Sequence, residues 1–178
     1  MSVQDLVDIG NLVPVDAEYD WYDASRRLRT ELPEDYRSLV DAGGGGLWFG
    51  YVRVLVPDER LMGRNLLDAD GVFRDLLVQW GDDPECRPFD LPADSSARLV
   101  AWANTEHGER VYWRVDPGVA PSGFPVYVED ADGERWERFD LSSTDFLLAL
   151  ARGELRSELL STEALDPGCR FSPFPDLI

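Results

Sequence analysis

The sequence predicts an α+β fold, an antiparallel β-sheet (a meander of four or more strands) flanked by helices at the N- and C-terminal ends. Two observations carry this. The early part of the chain and the segment from Ser142 place apolar residues three and four apart, a helical stripe. The middle, from Arg98 to Phe139, alternates apolar and polar residues between turn signals, the period of strands.

Residues 1–15 carry little pattern and hold Pro14, so they read as a poorly ordered or docking arm. A helical pattern opens at Asp16 and ends near Glu31, with Tyr19, Tyr22 and Arg26 on one side and Trp21, Ala24 and Leu28 on another. The next helix follows Leu32-Pro33. Proline suits a first helical position because its φ is preset and its missing N–H would be unpaired there anyway. Glu34 and Asp35 occupy the first turn, where the helix dipole favours anions. Tyr36, Leu39 and Val40 make its apolar face, and the glycine run from Gly43 stops it.

Leu47 to Val56 reads as one strand, rich in aromatic and β-branched residues and ended by Pro57. Phe73, Leu76, Leu77 and Trp80 stripe a helix over 70–80, closed by Gly81-Asp82-Asp83-Pro84. Arg98 to Thr105 is a strand with Leu99, Ala101 and Ala103 on one face and Val100 and Trp102 on the other. A turn at Glu106-His107-Gly108-Glu109 leads to Val111, Trp113 and Val115 on a second. Pro125 to Glu129 and Trp136 to Phe139 form a third and fourth, joined by Asp132-Gly133, whose residues tolerate the positive φ of a tight turn. Ser142 and Asp145 match the capping pattern S-x-x-D and open a last helix that runs to Gly153, with Leu155 to Leu160 as its continuation after a break. Residues 16–160 thus read as one domain and 161–178 as an irregular tail whose Phe171 and Phe174 could dock.

The chain has 178 residues, 44% of them hydrophobic, enough for a single core-bearing domain. Seventeen arginines and no lysine face 35 acids, a formal net charge of −18. Such a surface repels nucleic acid and anionic lipid and attracts basic partners. No apolar run approaches the ~20 residues of a membrane span, and Met1 to Asn11 lacks a basic leader. A cytoplasmic protein with reduced Cys86 and Cys169 is expected.

Catalytic and cofactor motifs fail on inspection. The Gly43–Gly46 run follows a helix and precedes a strand, and without lysine it cannot be a P-loop. Asp68-Ala69-Asp70-Gly71 and Asp130-Ala131-Asp132-Gly133 lack the first and twelfth ligands of a calcium loop, so both read as turns. His107, the one histidine, sits in a polar turn and is poorly placed as a base. Two distant cysteines make no zinc site. No cofactor or metal is expected. Paired carboxylates stay open as an enzymatic alternative, because 35 acids guarantee close pairs.

The order of motifs goes further. Leu32-Pro33-Glu34-Asp35-Tyr36-Arg37, then a glycine turn and an aromatic strand, resembles the N-terminal signature of the SUKH superfamily, the fold of bacterial toxin-immunity proteins and a fungal cell-wall-synthesis regulator. Leu99 to Thr105, His107-Gly108-Glu109 and Trp113 resemble its paired strands. Pro125 to Val128, Phe139 and the helix from Ser142 to Gly153 look like its closing section. The resemblance spans roughly 18–160. It departs at the four glycines, where an Asn-Gly-Gly turn is common, and over 57–97, which match nothing in the family. The resemblance implies a non-enzymatic binding protein that occludes a toxin, and a basic nuclease toxin suits the charge. The expected partner is a basic protein, with no nucleic acid and no membrane, and the chain is a monomer or homodimer. The candidate partner-binding acids are Glu34, Asp35, Asp82, Asp83, Glu85, Glu129, Asp130 and Asp132. A regulatory or scaffold module of the same fold is the alternative.

Overall fold

The computed structural model describes residues 2–166, 168 and 170–175. Cys169, expected as a reduced thiol, and Pro167 lie outside the described residues. In chain order the helices are α1 (Ser2–Gly10), α2 (Trp21–Leu28), α3 (Glu34–Gly43), α4 (Ala69–Asp82) and α5 (Ser143–Ala151). The strands are β1 (Gly46–Trp48), β2 (Val52–Val54), β3 (Arg98–Thr105), β4 (Arg110–Val115), β5 (Val126–Glu129), β6 (Trp136–Phe139) and β7 (Phe171–Pro173). They form one seven-stranded sheet of order β6-β5-β4-β3-β2-β1-β7, with every neighbouring pair antiparallel. The α+β meander read from the sequence is therefore the fold.

The sheet divides two hydrophobic clusters. On its broad face Trp102, Trp113, Val111, Val126 and Val128 meet Leu6 of α1, Leu28 of α2, Tyr36 and Val40 of α3, and Phe146 and Leu147 of α5. Aromatic rings dominate this face. Trp102 stacks on Trp113 with centroids 5.6 Å apart, and Tyr36 meets Trp113 edge-on at 4.9 Å. The polar tips of two of these rings are satisfied: Trp113 Nε1 donates to Ser143 Oγ at 2.8 Å, and the Tyr36 hydroxyl donates to the Leu55 carbonyl. On the other face α4 lays Leu76 and Trp80, and the loop after it Cys86 and Leu91, over Leu99, Ala101, Tyr112 and Tyr127.

Several local expectations change. Residues 2–10 form a helix with Leu6 fully buried, held to α5 by the hydrogen bond between Ser2 Oγ and Thr144 Oγ1 (2.8 Å). Helix α2 begins at Trp21 rather than Asp16, because Asp20 acts as its cap and accepts from the Asp23 N–H at 2.8 Å. It ends at Leu28, where Arg29 turns left-handed (φ 54°). The strand expected over 47–56 is a hairpin. Phe49 and Gly50 take positive φ (55° and 66°), and the Tyr51 N–H closes the turn on the Trp48 carbonyl at 2.9 Å.

In β3 the register shifts between Ala101 and Ala103, leaving Trp102 as the extra residue of a bulge. The shift inverts the alternation, so Ala103 joins Val111 and Val54 on the broad face instead of sharing a face with Leu99 and Ala101. After Gly153 the chain does not resume a helix. It crosses to β6, where Glu137 accepts from Ser157 Oγ (2.5 Å) and the Glu158 N–H (2.6 Å). The tail contributes β7. It reaches β1 because Gly46 has no Cβ to strike the Ser172 carbonyl. Phe171 then rests on Trp48 with ring centroids 4.8 Å apart, and Phe174 lies under the Arg64 guanidinium at 4.9 Å.

Candidate protein-binding surface

Among the described residues α4 is the one α-helix over its side of the sheet, and its C-terminal half borders open space. There an open groove of about 550 Å³ runs between α4 and the β5–β6 turn. Asp75, Val78, Gln79 and Asp82 supply one wall from successive turns of α4. Asp83 and Cys86 close one end, and Asp132 and Glu134 supply the opposite wall. The turn holds its position for a local reason. Gly133 (φ 75°) sits against Gln79, whose Nε2 donates to the Gly133 carbonyl at 2.9 Å, and a Cβ at residue 133 would lie 3.0 Å from that nitrogen.

The lining is acidic and unneutralised. Asp75, Asp82, Asp83, Asp132 and Glu134 take part in no ion pair among the described residues. Several arginines elsewhere are engaged by acids or carbonyls. Arg114 and Arg138 meet Asp90 at 3.7 and 3.2 Å, and Arg98 meets Asp70 at 3.4 Å and the Leu28 carbonyl at 3.0 Å. Arg87, next to Cys86 in the chain, lies 4.7 Å over the Trp80 ring. Burial and the Asp83 carboxylate 3.4 Å away push the Cys86 thiol upward. No cluster of ligands able to hold a metal ion occurs among the described residues.

The eight acids singled out from the sequence fall into three groups. Asp82, Asp83 and Asp132 line the groove, and Glu85 is exposed next to Asp83, whose side chain accepts its N–H at 3.2 Å. Glu34 is exposed elsewhere, on α3. Asp35, Glu129 and Asp130 serve the fold. Asp35 is half-buried and accepts from the Thr144 N–H and hydroxyl, both at 2.9 Å, which ties α3 to the start of α5. Glu129 is buried and accepts from the Tyr112 hydroxyl. Burial raises its carboxyl, as does neighbouring Asp130, against the lowering pull of Tyr112 and Arg110. Asp130 is also buried, but there the N–H groups of Arg135 and Glu134 and the Arg135 guanidinium outweigh burial and lower its carboxyl. These two acids therefore belong to the interior and not to the surface.

Two groove acids, Asp75 and Glu134, were not singled out from the sequence. Asp75 and Asp82 stand seven apart, which puts them on one face of a helix, and that spacing was the available signal. The remaining buried acid, Glu109, accepts from Tyr51 and Thr105. His107 is exposed in its turn, 5.3 Å from the Tyr51 ring. Among the described residues no helix is long and apolar enough to cross a membrane. No family model, no curated protein and no solved structure matches this chain.

Proposed function

We propose that this chain is a non-enzymatic binding protein of the immunity type, and that the acidic groove beside α4 docks a basic protein, a nuclease toxin being the class that fits best. One observation carries the reading. A chain with twice as many acids as arginines leaves five carboxylates of one groove without a cation. Clustered like charges raise each other's energy, and a cationic partner relieves that repulsion on docking. The net charge of −18 adds long-range steering, worth roughly 10- to 1,000-fold in association rate at low salt. The SUKH-like order of motifs from Leu32 to Gly153 supports the same class of function.

The test takes two steps. Tagged protein is used for capture at low and at high salt, and a retained basic protein is identified by mass spectrometry. Its association is then timed against the double variant Asp82→Arg, Asp132→Arg. The expected result is association slowed roughly tenfold at low salt, with a flatter salt dependence. Unchanged rates and an unchanged salt slope would rule out this groove as the interface. Failure to retain any basic partner would favour a regulatory module of the same fold.

A further inference from the structure

The surface opposite in character is a groove between α2 and the start of α3, of about 630 Å³, which shares no lining residue with the acidic one. Trp21, Tyr22, Ser25 and Arg26 of α2 line it together with Glu31 and Arg37. Arg37 is the unusual member. Its guanidinium has no hydrogen-bond or ion-pair partner among the described residues, and its Nε is buried. Glu31 borders the same groove yet stands beyond ion-pair distance of both arginines, while Arg26 is engaged by Asp23 at 2.5 Å. Acids outnumber arginines 35 to 17 in this chain, so an unmatched guanidinium in a concavity is not explained by a shortage of carboxylates.

We propose that this groove binds a small ligand bearing an oxyanion, a carboxylate or a phosphate, on a planar ring. A guanidinium presents a rigid planar fork that matches either oxyanion through two parallel hydrogen bonds. The aromatic residues supply the second half of the recognition. Trp21 is a fixed platform: its Nε1 donates to Asp41 at 2.9 Å, and its ring meets Tyr36 edge-on at 5.9 Å. Tyr22 is 82% exposed, with its ring free to cover a ligand from the solvent side. Ser25 adds a hydroxyl to the wall between them.

Calorimetric titration with phenyl phosphate tests this, with inorganic phosphate as the ring-less probe. Phenyl phosphate is expected to bind saturably, and at least tenfold tighter than phosphate. Arg37→Gln should weaken it at least tenfold. Arg156→Gln, which removes the same charge from an exposed arginine outside the groove, should stay within twofold. Tyr22→Ala, at an exposed position, should weaken phenyl phosphate several-fold and leave phosphate unaffected. Absence of saturable phenyl phosphate binding, or equal loss in Arg37→Gln and Arg156→Gln, would overturn the proposal. Equal affinity for the two probes would overturn its aromatic half.

Discussion

The two faces of the sheet are built to different standards. The broad face is covered by α1, α2, α3 and α5, and several of its polar groups are paired within it: Ser143 takes the Trp113 indole, Leu55 the Tyr36 hydroxyl, Asp35 the start of α5. The narrow face has α4 and the loop after it, tied to the sheet by the Trp136 Nε1 hydrogen bond to the Cys86 carbonyl at 2.8 Å and by Asp90, which meets Tyr127, Arg114 and Arg138. A sheet with one thick and one thin covering has its stability on the first and its free margin beside the second. Unpaired acids are tolerable at that margin, because water solvates them and no core depends on them.

Three substitutions sharpen or break this contrast. The largest effect is expected for Trp113→Ala on the broad face. It empties the centre of the stack formed with Trp102 and Tyr36 and leaves Ser143 without its partner. A loss of about 4 kcal/mol in denaturant unfolding is expected. Leu76→Ala is the matched test under α4, where Leu76 is 2% exposed. A loss of about 2 kcal/mol is expected, with local opening of α4 seen in hydrogen exchange before global unfolding. If Leu76→Ala costs as much as Trp113→Ala, the two faces do not differ as described.

The smallest effect is expected for Glu129→Gln. Glutamine can still accept the Tyr112 hydrogen bond, and its lost pairing with half-exposed Arg110 at 3.7 Å is screened by water. Burial raises the Glu129 carboxyl above its unfolded value, so the native state binds this proton more readily than the unfolded chain. Stability from this group is therefore lost as pH rises from the unfolded value through the folded one. Glu129→Gln should stay within about 1 kcal/mol of the parent at neutral pH. Its advantage should grow between acidic and neutral pH, measured by unfolding at each. A variant that instead loses ground as pH rises would show the ionised carboxylate to be stabilising.

Much of this architecture was legible in the residues. Local signals sufficed for α3, α4 and α5 and for β3 to β6: Ser142 as a cap, Asp132-Gly133 as a turn, alternation on either side of it. The parts that escaped depend on distant partners or a single residue. Residues 171–173 become a strand only because β1 lies waiting for them. The hairpin at Phe49-Gly50 was hidden inside a run of strand-forming residues, with Gly50 as its only marker. The bulge at Trp102 leaves no trace in a pattern of small and large apolar residues. The site divides the same way. Exposed Asp82, Asp83 and Asp132 followed from turn and helix-end positions, whereas Glu129 and Asp130 are internal because Tyr112 and Arg135 reach them in three dimensions.

The pairing of β7 with β1 also sets a timetable for the chain. β1 is synthesised early, yet its outer backbone groups have no partner until residues 171–173 emerge from the ribosome. Until then one margin of the sheet is an open edge, the kind of surface that recruits strands from other chains. A transcript cut short between α5 and β7 would thus yield a molecule with both hydrophobic clusters largely assembled and a persistently adhesive side, harmful through self-association more than through loss of binding.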